Sequence, residues 1–298
     1  MLFLAKERSL VFPWCTSPSE KEADTVIFGV ASERGSRAPR KGSSGGPRAA
    51  RASSEKLDLV RRGKESSIMY SRLGSVALNC YDAGDVPEAK AEGFARRQVL
   101  NKRVVGCIGG DHSITYDILK GIDSCVDSWS FVYIDAHPDC IGSAGRYYGS
   151  VVHDILALKN VEAGSSLIIG ARAIEKEEKA IVEKAGIKFI GMDRIIEEGI
   201  VAVSKYARSM ITDNVYVSVD LDSVDPAFAP GVSTPVPGGL AAREILYIAS
   251  TIGKSVNLGF DVMELNPKYD SGGMTAHLAS LIMMNMAGAA RKRRQPGP

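Results

Sequence analysis

The sequence has few cysteines, no long apolar run and almost no net charge, and each absence excludes a class of protein. Its five cysteines form no CxxC and no paired spacing, so no disulfide framework is expected and a reduced, cytoplasmic setting is predicted. Charges at 6–8 interrupt the first apolar stretch too early for a secretory signal, and the longest apolar stretch, 278–290, is too short to span a bilayer. A net charge of +2 gives no reason to expect nucleic acid or a membrane as a partner.

Apolar runs that alternate with helical patterns predict an α/β fold with a mainly parallel sheet. Strands are expected at 25–30, 104–108, 131–134, 167–170, 187–190, 215–219 and 256–262. Helices are expected at 48–62, 88–102, 113–122, 151–159, 175–185, 192–211, 243–252 and 275–290. Because the strands are apolar on both faces, helices should cover both sides of the sheet. No repeat or long linker interrupts the pattern, so residues 1–298 are predicted to form one domain, with 1–24 as an N-terminal arm and 291–298 as a flexible basic tail.

Three short segments rich in Asp and His follow three of the predicted strands. They are Gly109-Gly110-Asp111-His112, Asp135-Ala136-His137-Pro138-Asp139 and Asp220-Leu221-Asp222. The carboxyl ends of parallel strands meet at one edge of a sheet, where such folds bind ligands. Charges are costly to bury there unless they are paired or hold a metal. The pattern therefore predicts two divalent metals and a hydrolase.

The spacing within the segments supports a metal centre. Residues two apart in extended chain point the same way, about 6.6 Å apart, so Asp135, His137 and Asp139 should face one site, as should Asp220 and Asp222. With His112, these side chains supply enough ligands for two metals roughly 3.5–4 Å apart. Oxygen-rich sites with one imidazole per metal favour Mn²⁺, leave Zn²⁺, Fe²⁺ or Co²⁺ possible and disfavour Ca²⁺. Asp111 is interpreted as a turn or helix-cap carboxylate.

The segments resemble the signatures of the ureohydrolases, the arginase/agmatinase family. The matching stretches are 109–113, 135–139 and 218–231, extended by 234–240 and 259–267, and the resemblance covers roughly 25–288. It implies a three-layer α/β/α sandwich, arginase-like, with two Mn²⁺ per subunit. It also implies that His112, Asp135, Asp139 and Asp220 hold one metal. Asp135, His137, Asp220 and Asp222 would hold the other.

The resemblance further implies how catalysis proceeds. A metal-bridging hydroxide would attack a guanidinium carbon and release urea and an amine. Asp139 would transfer the proton, His153 would shuttle it, and Glu244 would hold the guanidinium. Taken alone, Glu244 is an ordinary first-turn helix carboxylate and His153 an ordinary residue on the polar side of its helix. Thr234 and Arg146 complete the expected substrate-binding residues, and His277 is interpreted as a core or interface histidine.

The substrate is expected to be a small cation, because the carboxylates outnumber the metal charges. The loop 140–152 lacks the Asn- and Ser-rich pattern of arginases, which favours agmatine, cleaved to putrescine and urea in polyamine biosynthesis. Arg146 either points to solvent or meets a distal carboxylate, as in guanidinobutyrate or formiminoglutamate. Tyr147 and Tyr148 either line the pocket or pack the loop. An arginase, a guanidinobutyrase and a formiminoglutamase therefore stay open as alternatives.

Two alternatives of other classes also stay open. One is a catalytically silent relative that binds a metal or polyamine, and the other is a one-metal amidohydrolase on a related fold, such as the deacetylases. The family implies a homo-trimer or homo-hexamer. The basic loop at 34–41 contains no aromatic residue to stack on a base, so no nucleic-acid partner is expected.

Overall fold

A single parallel sheet organises the chain. The computed structural model describes residues 10–54, 78–211 and 214–294. Within these ranges eight strands pair in the order β2-β1-β3-β8-β7-β4-β5-β6, and every pairing is parallel. The strands are β1 Thr25–Gly29, β2 Cys80–Asp85, β3 Val104–Ile108, β4 Ser130–Ile134, β5 Leu167–Ile169, β6 Lys188–Ile190, β7 Val215–Asp220 and β8 Gly259–Met263.

Helices cover both faces of this sheet. They are α1 Gly46–Ser54, α2 Ala91–Leu100, α3 Ile114–Asp123, α4 Val151–Leu156, α5 Lys176–Ala185, α6 Met192–Glu198, α7 Ile200–Met210, α8 Ala242–Ile252 and α9 Met274–Arg294. Neighbouring residues of one strand enter different cores: Val104 packs into a cluster with α8 and α9, and Val105 into one with α2 and α3. The predicted α/β/α sandwich is confirmed, because period-two alternation sends each strand's apolar side chains to two helical layers.

Some element bounds differ from the sequence prediction. Strand β2 was not predicted, because it is an edge strand with alternating burial and two aspartates. The helix expected over 192–211 is divided at Gly199, whose φ of 79° leaves the helical region. Helix α9 continues to Arg294, four residues into the predicted tail. The predicted helical residues 55–62 and the rest of the tail lie outside the described residues.

The described part of the predicted N-terminal arm is built into the core. Phe12 and Trp14 are fully buried and their rings stack with centroids 4.8 Å apart. The Phe12 amide donates to Asp82 at the β2 edge, 2.9 Å away, and Arg51 of α1 pairs with the same carboxylate. Residues 12–15 therefore help to close the sheet edge.

Within residues 10–54, 78–211 and 214–294, every helix falls short of the length and apolar composition that a membrane-spanning helix needs.

Candidate metal centre and active site

Four adjacent central strands deliver polar side chains to one edge of the sheet. In spatial order β3, β8, β7 and β4 are neighbours. His112 follows β3, Asp220 ends β7, and Asp135 directly follows β4. Glu264 follows β8, the strand between β3 and β7. The sheet order therefore brings together side chains that are far apart in sequence.

His112 lies at the middle of the centre with its orientation fixed. Its Nδ1 is 2.9 Å from Asp220 Oδ2 and 3.2 Å from Asp135 Oδ2. Its Nε2 is 2.8 Å from Ser218 Oγ, which donates its own proton to Asp261 Oδ1 at 2.6 Å. Since the Ser218 proton is engaged, Nε2–H is the donor to Ser218. Nδ1 therefore faces the Asp135 and Asp220 carboxylates, where it can hold a cation once it has no proton of its own.

His137 and Asp222 form a second group of ligand atoms through Asp135. His137 Nδ1 is 3.4 Å from Asp135 Oδ1 and 3.1 Å from Asp222 Oδ2. The donor atoms of His112, Asp135 and Asp139 lie within 4.8 Å of one another, as do those of Asp135, His137 and Asp222. Backbone amides orient the carboxylates: the His137 N–H donates to Asp135 Oδ1 at 2.7 Å, and the Asp222 N–H to Asp220 Oδ1 at 2.7 Å.

The pKa values reflect crowded, buried charge. Burial raises the pKa of the Asp139 and Asp220 carboxyls well above the usual range, and neighbouring aspartates add to the effect. Burial opposes protonation of His112, but its hydrogen bonds to Asp135 and Asp220 raise the imidazole pKa well above its usual value. Burial likewise opposes protonation of His137, but its hydrogen bonds to Asp135 and Asp222 raise the imidazole pKa to about 12. Without metals, protons on the imidazoles supply positive charge that the carboxylates require.

Asp139 is held in an unusual backbone conformation. Its φ is 49°, in the left-handed region. Its carbonyl accepts hydrogen bonds from the amides of Val152 and His153, 3.0 and 3.2 Å away, at the start of α4. Tyr133 donates its hydroxyl proton to Asp139 Oδ2 at 2.6 Å. These contacts fix one carboxylate oxygen and direct the side chain to the centre.

Glu264 is a site residue that the sequence analysis missed. It is fully buried and has a φ of 65°, and its amide donates to the Gly110 carbonyl at 2.8 Å. Oε1 accepts the His112 amide at 2.9 Å, whereas the buried Oε2 has no hydrogen-bond partner. Burial, with the nearby Asp111 charge, raises the pKa of this carboxyl to about 8. A glutamate directly after a buried strand was the available signal, because the neighbouring strands end in the same way.

Three other residues were expected to bind the substrate, and the structure places each of them in different surroundings. Thr234 lies at the centre, where its hydroxyl donates to Asp222 Oδ2 at 2.9 Å. Glu244 caps its own helix: Oε2 accepts the Ala241 amide at 2.9 Å. Arg146 forms ion pairs with both Glu88 and Asp117, so its charge is neutralised locally.

His153, the expected proton shuttle, faces solvent, whereas Tyr148, which the sequence left open, lies beside the His112 segment. His153 is exposed on α4 and its ring packs over Gly142, where a Cβ would lie 2.7 Å from imidazole atoms. Tyr148 is half-buried, and its amide donates to the Gly35 carbonyl at 3.2 Å. Gly35 in turn donates to Asp111 Oδ2 at 2.9 Å, beside His112. Tyr148 therefore lies between the His112 segment and the start of α4. Asp111 also accepts the Ser113 amide at 2.9 Å, which is the expected turn role.

The parallel three-layer fold carries an acidic centre with two imidazoles, which is a donor set of the kind that holds divalent metals. The model of the arginase family matches residues 23–288, and the chain belongs to this family. Its homologues are hydrolases that act on amidino groups.

Similar proteins cover nearly the whole chain. Proclavaminate amidinohydrolase of Streptomyces clavuligerus is 31% identical over 89% of this chain and 87% of its own length. An agmatinase of Photorhabdus laumondii subsp. laumondii is 27% identical over 93% and 90%. The crystal structure of a hypothetical agmatinase from Burkholderia thailandensis has a TM-score of 0.83 and 26% identity, over 96% of this chain and 91% of that one.

Proposed function

We propose that this protein hydrolyses agmatine to putrescine and urea with two Mn²⁺ per subunit. The observation that carries the proposal is the pair of ligand groups that share Asp135, next to the unpartnered Oε2 of Glu264. The first feature suits two divalent cations, and the second suits a guanidinium. Both lie at the carboxyl edge of the four central strands.

The donor set fits two metals. When His112 is neutral and carries its proton on Nε2, the buried Asp135 Oδ2 has no hydrogen-bond donor, although His112 Nδ1 lies 3.2 Å away, and this is costly unless a cation lies beside it. His112, Asp135, Asp139 and Asp220 would hold one metal, and Asp135, His137, Asp220 and Asp222 the other. All of these donors are oxygen or imidazole nitrogen, and no thiol is among them, which favours Mn²⁺. Metal analysis of the purified protein measures both identity and stoichiometry.

Two divalent metals, when bound, make a water molecule nucleophilic near neutral pH. Asp139, with one oxygen fixed by Tyr133, accepts a proton from that water and returns it to the departing nitrogen. A carbon–oxygen bond forms at the guanidinium carbon and the carbon–nitrogen bond to the amine breaks. The second proton of the water leaves the new oxygen as the urea carbonyl forms and passes to the released amine. The products are therefore urea and an ammonium ion, and atoms and charge balance.

Glu264, rather than Glu244, is proposed to hold the guanidinium. Its Oε2 is unpartnered, and Oε1 already accepts the His112 amide, so the carboxylate is positioned relative to a metal ligand. A charge-assisted bond from a guanidinium N–H would satisfy the buried oxygen and stabilise the carboxylate form. Glu244, in contrast, uses Oε2 to accept the Ala241 amide at the start of its own helix.

The charge of the site supports a substrate with a cationic tail. Five carboxylates at the centre outnumber the four positive charges of two divalent metals, so the site attracts cations. Arg146, the basic residue of the outer loop, is occupied by Glu88 and Asp117 and does not offer its charge to a substrate carboxylate. Agmatine carries a guanidinium at one end and an ammonium at the other, and fits this distribution.

A urea assay with the Mn²⁺-loaded protein tests the substrate directly. Agmatine, arginine, guanidinobutyrate and guanidinoacetate are compared by kcat/KM, because similar proteins carry the names of different substrates. Agmatine is expected to give the highest value. A preference for guanidinobutyrate would refute the proposal that the substrate has a cationic tail, but not the proposal that a guanidinium group is hydrolysed. If none of the four compounds released urea, guanidinium hydrolysis itself would be refuted.

Proton exchange with solvent is proposed to involve Tyr148. Tyr148 is half-buried beside the segment that carries Asp111 and His112. Burial, with smaller effects from Tyr147, Glu264 and Asp139, raises the pKa of its phenol, so it acts as a neutral hydrogen-bond donor. His153 is exposed and lies over Gly142 instead.

A homo-trimer or homo-hexamer is also proposed. Exposed apolar side chains such as Ile196 and Val201 support an interface between subunits. Light scattering of the purified protein measures the number of subunits.

A further inference from the structure

Two of the five cysteines lie in contact at the β2 edge of the sheet. The Sγ atoms of Cys15 and Cys80 are 2.9 Å apart, although the residues are separated by 65 positions in sequence. Cys80 is buried and Cys15 is partly buried. A disulfide has an S–S length of about 2.05 Å, so the sulfurs need to approach by only roughly 0.9 Å.

Backbone hydrogen bonds hold the two cysteines in register. The Leu78 amide donates to the Trp14 carbonyl at 3.1 Å, just before Cys15, and the Thr16 amide donates to the Leu78 carbonyl at 3.1 Å, just after it. The Ser17 amide donates to the Cys80 carbonyl at 3.0 Å. Because these bonds flank Cys15 on both sides, the thiols are kept close before any covalent bond exists.

The buried residues around the pair add a second anchor. Phe12 and Trp14 are fully buried three residues and one residue before Cys15, and the Phe12 amide donates to Asp82, two residues from Cys80. Cross-linking therefore requires no rearrangement of the segment. A preorganised pair of this kind has a high effective concentration and favours the oxidised form.

We propose that Cys15 and Cys80 are a modification site at which a small peroxide forms a disulfide that fastens the N-terminal segment to β2. Hydrogen peroxide oxidises the Cys15 thiol to a sulfenic acid and is reduced to water. The Cys80 sulfur then attacks the Cys15 sulfur, the S–S bond forms, and the sulfenic oxygen leaves as a second water. Formation of this disulfide requires neither the metals nor the substrate.

The remaining thiols provide internal controls. Cys125 Sγ contacts the carbonyl oxygens of Gly121 and Arg96, and Cys140 Sγ contacts that of Pro138. Neither faces another sulfur. Burial raises the pKa of the Cys15 thiol, so oxidation is expected to be slow near neutral pH and faster at higher pH.

The test treats the metal-loaded protein with hydrogen peroxide, alkylates it in denaturant and maps the tryptic peptides without reduction. The expected product joins residues 9–21 to residues 73–90, and three of the five thiols still react with alkylating reagent. Alkylation of both Cys15 and Cys80, a stable sulfinic acid on Cys15 with Cys80 free, or a bond to any other cysteine would overturn the proposal.

A stability measurement gives a second readout. Closing a loop of 65 residues is expected to raise Tm by roughly 5 °C on oxidation, reversed by dithiothreitol. Cys15→Ser should abolish this shift, whereas the matched Cys125→Ser variant should retain it. Equal shifts in the two variants would contradict the assignment.

Discussion

The role of Glu264 gives the sharpest test of the site, and the substitution is Glu264→Gln. The amide oxygen can still accept the His112 amide, which Oε1 now accepts at 2.9 Å, so the geometry around the metal ligand is preserved. What is lost is the negative charge that faces the guanidinium. Breaking a buried charge pair by removing one partner costs about 3–5 kcal/mol, which corresponds to a fall in kcat/KM of roughly 10²–10⁴-fold.

The assay is urea release from agmatine over a range of concentrations, with Mn²⁺ content measured on the same samples. The matched control is Glu244→Gln, which removes the same charge from a residue that caps its own helix. Glutamine can still accept the Ala241 amide, so little change in stability or in kcat/KM is expected. Tm of Glu264→Gln should be unchanged or higher, because a neutral amide is easier to bury than a carboxylate. Near-normal kcat/KM in Glu264→Gln with a large loss in Glu244→Gln would refute the reasoning.

Three further predictions concern the centre. Asp139→Asn should lower kcat by about 10²–10⁴-fold and retain part of the bound Mn²⁺, because it removes a proton acceptor; wild-type turnover in this variant would contradict proton transfer by Asp139. Tyr148→Phe should lower kcat more than His153→Gln does, because the Tyr148 phenol is half-buried within the electrostatic influence of Glu264 and Asp139, whereas His153 is exposed; the reverse order in a urea assay would restore the shuttle role to His153. Removal of metal by a chelator should lower Tm, since the buried carboxylates then lack their cations, and excess Mn²⁺ at about 100 Kd should restore roughly 2.7 kcal/mol per site; a Tm that is independent of Mn²⁺ in calorimetry would exclude a folded-state metal centre.

The parts of the fold that sequence predicts well are those with local patterns. The central strands are buried on both faces and therefore apolar throughout, as Val104–Ile108 shows. The Asp and His residues directly after such strands could be assigned to one sheet edge, because parallel strands share an edge for their carboxyl ends. The edge strand Cys80–Asp85 lacks this pattern, since solvent on one side allows polar residues.

Side-chain partners from distant parts of the chain could not be predicted. Arg146 is paired with Glu88, 58 residues earlier, and with Asp117, 29 residues earlier. Nothing in the local sequence of the loop distinguishes such a paired arginine from one that faces a substrate. The same is true of Glu244 and Glu264. Each is a glutamate near a family motif, so the local sequence does not show which of them lies at the site. Only the strand order, which inserts β8 between β3 and β7, shows which of them meets His112.

Backbone conformation adds an independent argument for the site. Lys102, Asp139 and Glu264 are the non-glycine residues with positive φ in the described part of the chain. This conformation is unfavourable for residues with a side chain and persists only where surrounding contacts enforce it. The Asp139 carbonyl is held by two amides of α4, and the Glu264 amide by the Gly110 carbonyl. Both strained residues are carboxylates at the same sheet edge, so the fold sustains an energetic cost at the two positions where a proton acceptor and a guanidinium partner are proposed.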